Sequence, residues 1–272
     1  MTATAVPASA YRALRPANFG DVLRSEWTKF RSVRSSFWSL LVAAVLAIGL
    51  GALITYLRGR HYATDPGSHI HWDPTSVSLT AFALAQLAIG VLGVMVITSE
   101  YSTGMIRTSL AAVPKRGRVV AAKAIVFTTV ALISGLIMSF IAFGIGQAIL
   151  KGQAPSTSLG DQDVLRAVIG AGMYLAALGL LGLAVGTVLR HAAAAISTLV
   201  AILFVLPGIA NALPTSWQQP IEKYWPTNAG QSIAAVTRDS NTMTSWAGFG
   251  VMCLFVAVVL ALAFVVLERK DA

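Results

Sequence analysis

Few side chains in this sequence have the type and spacing to do chemistry, and they form three groups. The first is His61, His69 and His71 with Asp65 and Asp73, all in one polar stretch. Imidazole and carboxylate are ordinary zinc ligands, but the His69-x-His71 spacing matches no specific metal site, so a solvated loop is the stronger reading. The second is Glu100, which closes an apolar run and is followed by Arg107, Lys115, Arg116 and Arg118. A lone carboxylate there suits an ion pair with an arginine that sets the angle of the loop, rather than acid–base catalysis. The third is a sparse set of amides and hydroxyls inside apolar runs: Gln86, Ser134, Ser139, Gln147 and Asn211. A buried amide in such a run usually hydrogen-bonds a neighbouring helix. Gln86, nearest the middle of its run, is also the candidate for substrate contact. The single cysteine, Cys253, reads as a small buried hydrophobe. No Gly-x4-Gly-Lys-Ser/Thr phosphate loop is present, so hydrolysis of ATP by that route is not expected of this chain.

The elements that must position these residues are membrane helices. Of 272 residues, 56% are hydrophobic and only 11% charged, with a mean hydropathy of +0.72. Soluble domains carry about 25% charged residues. Six stretches reach the ~20 apolar residues that cross a bilayer: about 36–57, 77–98, 120–150, 164–189, 192–213 and 245–267. If these alternate across the membrane, one side collects 14 of the 20 Lys and Arg. The positive-inside rule makes that side cytoplasmic and puts both termini there. The formal charge of +9 then belongs to the membrane side, and no nucleic-acid partner is needed to explain it. The expected fold is an all-α integral membrane protein of one domain, residues 17–272, after a disordered tail at 1–16. The first span is too long, and too far from the start, for a cleavable signal peptide. An intramembrane enzyme would need paired carboxylates, histidines or a nucleophile with its base, and the spans contain none of these.

Two further elements flank the spans. Residues 18–35 carry Phe19, Val22, Leu23, Trp27, Phe30 and Val33 at helical spacing, with Arg24, Lys29, Arg31 and Arg34 on the remainder. This predicts an amphipathic helix lying in the membrane interface, either as a topology anchor or as a contact for a soluble subunit. Between the second and third spans, Ile106, Leu110 and Val113 fall on one helical face, and Pro114 ends the helix. A short helix over 104–113 is therefore expected, followed by a basic cluster. It serves topology or docks a partner. Gly182-x-x-x-Gly186 permits close helix approach, within one chain or between two. Pro207-Gly208 should kink the fifth span.

Glu100-Tyr101-Ser102-Thr103-Gly104-Met105-Ile106-Arg107-Thr108, followed by Pro114-Lys115-Arg116, resembles the cytoplasmic loop of ABC-2 type permeases. Glu26-Trp27-Thr28-Lys29-Phe30-Arg31 resembles the interfacial helix of that family, and Pro226-Thr227-Asn228-Ala229-Gly230 its Pro-x-Asn-x-Gly segment. The resemblance implies the membrane subunit of an ATP-binding-cassette exporter in a bacterial cytoplasmic membrane, a source that the Arg-, Ala- and Val-rich composition fits. It implies that a separate ATPase subunit holds ATP and Mg, that a second permease subunit completes the pathway, and that this chain binds no cofactor. Glu100, Gly104, Ile106, Arg107, Leu110, Val113, Lys115 and Arg116 would couple to the ATPase. Trp27, Lys29, Phe30 and Arg31 would form the interfacial helix. Gln86, Pro207 and Asn211 would line or shape the pathway. The sparse intramembrane charge suits an amphipathic or hydrophobic cargo. A non-transporting scaffold or sensor subunit is the alternative.

Overall fold

The computed structural model describes residues 18–64, 69, 72–112, 116–237 and 242–270, and among them every regular element is helical. Six helices are long and apolar enough to cross a membrane. The expected tail at 1–16 lies outside the described residues.

The chain enters through α1 (Phe19–Ser32). Asn18 caps it: the Phe19 N–H donates to Asn18 Oδ1 at 2.7 Å, and the Asn18 N–H donates to Asp21 at 3.0 Å. This reciprocal arrangement satisfies donors that a helix start leaves free. The helix ends at Ser32 rather than at 35, because Val33 is extended and redirects the chain. The face turned inward also differs from the apolar stripe. Val22 and Glu26 are buried while Trp27 and Val33 are exposed, because α1 packs on the start of α7 (Arg116–Leu150).

The first span runs through α2 (Arg34–Ala44), a π-helical segment Val45–Leu50, and α3 (Gly51–Thr64). The second is shorter than its apolar run. Asp73 accepts the N–H groups of Thr75 and Ser76 at 2.9 and 3.2 Å and starts a separate helix, α4 (Pro74–Leu79). The span proper is α5 (Phe82–Ser102). Gln147 of α7 holds α4 in place: its amide donates to Pro74 O and Ser78 Oγ and accepts the Thr157 N–H. Beyond α5, Gly104 has φ +73°, a left-handed turn that favours glycine. It admits α6 (Met105–Ala112) at once.

The fourth span, α8 (Val164–Leu189), is the centre of the bundle and packs against α5, α7 and α13 (Ser245–Lys270). It is apolar on every side, as a helix enclosed by other helices must be. Glycines bring α5 and α8 into backbone contact: a Cβ at Gly93 would overlap the Gly179 carbonyl, and one at Gly182 would overlap the Gly90 carbonyl. The small-residue spacing of α8 therefore serves packing within one chain. Arg190, at φ 60°, reverses the chain into the fifth span: α9 (Ala192–Val200), a π segment Ala201–Val205, and α10 (Leu206–Ala210). In the π segment ahead of Pro207 the Leu206 N–H reaches back to Ala201 O. Pro207 has no N–H to continue the normal ladder.

The final connection contains α11 (Thr215–Tyr224), α12 (Pro226–Gln231) and a 3-10 turn, Ser232–Ala234. Ile233 is fully buried. Cys253 is exposed on α13 rather than buried, because Met252 and Val256 take the inward face.

Candidate functional site

At the end of the bundle that carries α1 and α6, four charged side chains from three elements meet. Lys123, near the start of α7, donates to Glu26 Oε2 at 2.5 Å and to Glu100 Oε1 at 2.9 Å. Lys29 donates to Glu26 Oε1 at 2.8 Å, to Glu100 Oε1 at 3.1 Å, and to Ser109 Oγ of α6 at 3.0 Å. Glu26, Glu100 and Lys123 are only 3–4% exposed, and Lys29 is 25% exposed.

Helix geometry assembles this cluster. Glu26 follows Val22 by four residues, and Lys29 and Phe30 follow Glu26 by three and four, which places them all on the inner side of α1. Phe30 packs edge-on against Phe127 of α7, with centroids 6.4 Å apart. At 35 residues, α7 exceeds the ~20 needed to cross a bilayer, so Lys123 falls in its surplus turns. Two carboxylates and two ammonium groups balance in charge, which burial requires. Burial alone would push the Lys29 ammonium down; the adjoining Glu26 and Glu100 carboxylates outweigh it and hold its pKa above the ordinary lysine value. One acceptor is left over: Glu100 Oε2 is buried and has no hydrogen-bond partner among the described residues.

Among the described residues Glu100 is thus paired with two lysines and with no arginine. Arg24 and Arg31 are exposed on the far side of α1, out of its reach. Ile106 is buried within the chain, so it is not free to seat on a partner, whereas Met105 is exposed. Gly104 supplies the turn into α6. Val113 and Lys115 lie outside the described residues, as do the side chains of Arg107, Leu110 and Arg116. Glu26, Ser109 and Lys123 escaped the sequence reading. The available signal was a lysine just inside an apolar run, which demands an acidic partner, and an acid in register with Val22 and Phe30.

A second site lies at the opposite end: a cavity of about 680 Å³ between α5, α8, α13 and the α12 connection. At its floor, Tyr174 donates to Gln86 Oε1 at 2.8 Å and accepts from Gln231 Nε2 at 3.3 Å. Arg166 on its wall is occupied, donating to Ile233 O and Ala235 O and pairing with Asp163. Pro207 and Asn211 do not reach this cavity; they line a separate one of about 330 Å³ with Glu222 and Lys223. In the first polar loop His69 stacks on Tyr62 with centroids 4.0 Å apart. Asp65 and His71 lie outside the described residues, and no group of three metal-ligating side chains occurs among the described residues.

A family model described as "ABC-2 family transporter protein" matches residues 22–217, from α1 through all five of the first spans and into α11. No curated protein matches the chain. The chain belongs to the ABC-2 family of transporter membrane proteins, a multi-pass permease family that lacks the ATPase domain.

Proposed function

We propose that this chain is the permease subunit of an exporter driven by a separate ATPase, and that the end bearing α1 and α6 is cytoplasmic. The excess of Lys and Arg in the segments at that end supports the orientation, and with it cytoplasmic termini in a bacterial cytoplasmic membrane. The observation that carries the coupling reading is the buried charge cluster. It ties α1, the end of α5, the start of α7 and, through Ser109, α6 into one node.

A force on α6 or α1 is then delivered to two spans at once. ATP and Mg sit on the partner; ATP must favour one arrangement of the complex over another, or it shifts nothing. The α5 helix carries Glu100 at one end and Gln86 toward the other, roughly 21 Å apart at 1.5 Å per residue. Motion at the node is thereby transmitted to the cavity above Tyr174, where a small amphipathic cargo would be received. A second permease subunit, identical or different, completes the pathway.

The test is co-expression with a candidate ATPase, comparing wild type with Leu110→Asp for complex recovery and ATPase activity in nanodiscs. A buried unpaired charge is poorly tolerated at an apolar docking surface. Loss of the complex by a folded Leu110→Asp supports the reading. Failure of the wild type to bind any ATPase favours a scaffold or sensor subunit instead.

A further inference from the structure

The cavities of about 680 Å³ and 330 Å³ at the end away from the charge cluster are neighbours: Asn228, Ser232, Thr242 and Met243 line both. Asn228 stands on α12, whose other side is fixed. Thr227, Ala229 and Gly230 are buried, and Trp225 Nε1 donates to Ile202 O at 2.9 Å. The α12 backbone lies so close to α13 that a Cβ at Gly248 would overlap Ala229 O. This short helix is therefore a firm mount, and it holds Asn228 half-buried where the two cavities meet.

Most polar groups around these cavities are already engaged. Gln86 and Tyr174 bond each other at 2.8 Å and are 2% and 4% exposed, so they lie beneath the floor. Arg166 gives its N–H groups to Asp163, Ile233 O and Ala235 O. Glu222 accepts from Gln218 at 2.9 Å, and Lys223 lies over the Tyr224 ring. Among the described residues each cavity is lined by one acid and one base, which cancel. What stays open is neutral. The Asn228 amide has no hydrogen-bond partner among the described residues, and Gln231 Oε1 accepts nothing there while its Nε2 donates to Tyr174. An amide offers donors and an acceptor together. A lone ligand charge would lose water here without gaining a counter-charge, whereas a hydroxyl or amide finds both kinds of partner. Phe82 and Trp246 line the larger cavity beside them and suit an apolar portion. We propose, on the reading that this cavity receives the cargo, that the cargo carries no net charge and is recognised through hydroxyl or amide groups by Asn228, with Gln231 Oε1 as a second acceptor.

The test uses the full chain in phosphatidylcholine nanodiscs without an ATPase. A chain that binds no ATPase can still rank ligands, and one that couples to an ATPase can still fail to, so the two readings stand or fall separately. Three dansyl sulfonamides differ only in their heads: a propanediol, a glycine carboxylate and an aminoethyl ammonium. Saturable energy transfer from tryptophan, with empty discs as the baseline, reads binding. The diol should bind about tenfold tighter than either charged probe. Asn228→Leu, of similar size, should weaken diol binding about tenfold by removing its hydrogen bonds. Asn228→Asp, which alters charge but not shape, should turn the preference toward the ammonium probe. Should a variant fail to fold, the wild-type ranking still decides. Absence of saturable diol binding overturns the proposal, as does a charged probe that binds wild type as tightly as the diol. Diol affinity unchanged by Asn228→Leu, or a ranking unchanged by Asn228→Asp, overturns the role of Asn228.

Discussion

Glu26 and Lys123 stand 97 positions apart in the chain and meet as a buried ion pair, carboxylate to ammonium at 2.5 Å. Each is 4% exposed, so neither can fall back on water if the other is removed. The first span and the whole of α5 and α6 intervene between them, and the pair closes that stretch into one unit.

Removing one member of a buried pair leaves an uncompensated charge, which costs about 3–5 kcal/mol. Lys123→Met should therefore destabilise the protein by that order, seen as a lowered unfolding midpoint in micelles. Lys123→Met combined with Glu26→Met should recover much of the loss, because the surviving charges Lys29 and Glu100 still face each other at 3.1 Å. A double variant as unstable as the single one would contradict the pairing.

Lys29 holds its proton more tightly in the folded protein than in the unfolded chain, since Glu26 and Glu100 outweigh the opposing effect of burial. A raised folded value gives stability that is complete below the ordinary lysine value of 10.5 and disappears as pH climbs through the folded value. The midpoint gap between wild type and Lys29→Met should thus stay constant from neutral pH to about pH 10 and close above it. A gap that closes on the acid side of that window would point to another group.

Contact between α5 and α8 is at backbone distance. Gly93→Ala or Gly182→Ala should cost about 1–3 kcal/mol by forcing the helices apart. Gly144→Ala meets nothing within 4 Å and should be neutral or gain about 0.5–1 kcal/mol from helix propensity. Unfolding midpoints of the three variants in one detergent would separate close packing from a general effect of alanine.

At the opposite end, Tyr174→Phe takes the donor from Gln86 Oε1 and should cost about 1–2 kcal/mol. Gln86→Leu combined with it should cost less than the sum of the two, because the residues share one bond of 2.8 Å. If the cavity receives cargo, Tyr174→Phe also lowers cargo-stimulated ATPase activity of the assembled transporter while basal hydrolysis is unchanged.

Much of this protein is written locally. Apolar runs longer than a bilayer is thick read directly as six helices, because every backbone group there must be bonded within its own segment. The short helix after α5 was legible from the spacing of Ile106 and Leu110 and from Pro114, but Gly104, expected inside it, is the turn that precedes it. The run 164–189 coincides with α8 to the residue, since Asp163 and Arg190 bound it on either side.

What remained hidden depends on residues far apart in the chain. The inward face of α1 could not be read from its apolar stripe: Trp27 is exposed and Glu26 buried, because the surface α1 meets offers Lys123 rather than only hydrocarbon. Span two lost its first turn to α4, because Asp73, a capping side chain just ahead of the apolar run, starts a separate helix there. The choice of lysines over arginines for Glu100, and the burial of Ile106, were likewise settled by which helices came together. Length and hydropathy determine that a segment crosses the membrane; only packing decides which side of it is dry, and therefore which charges must find each other.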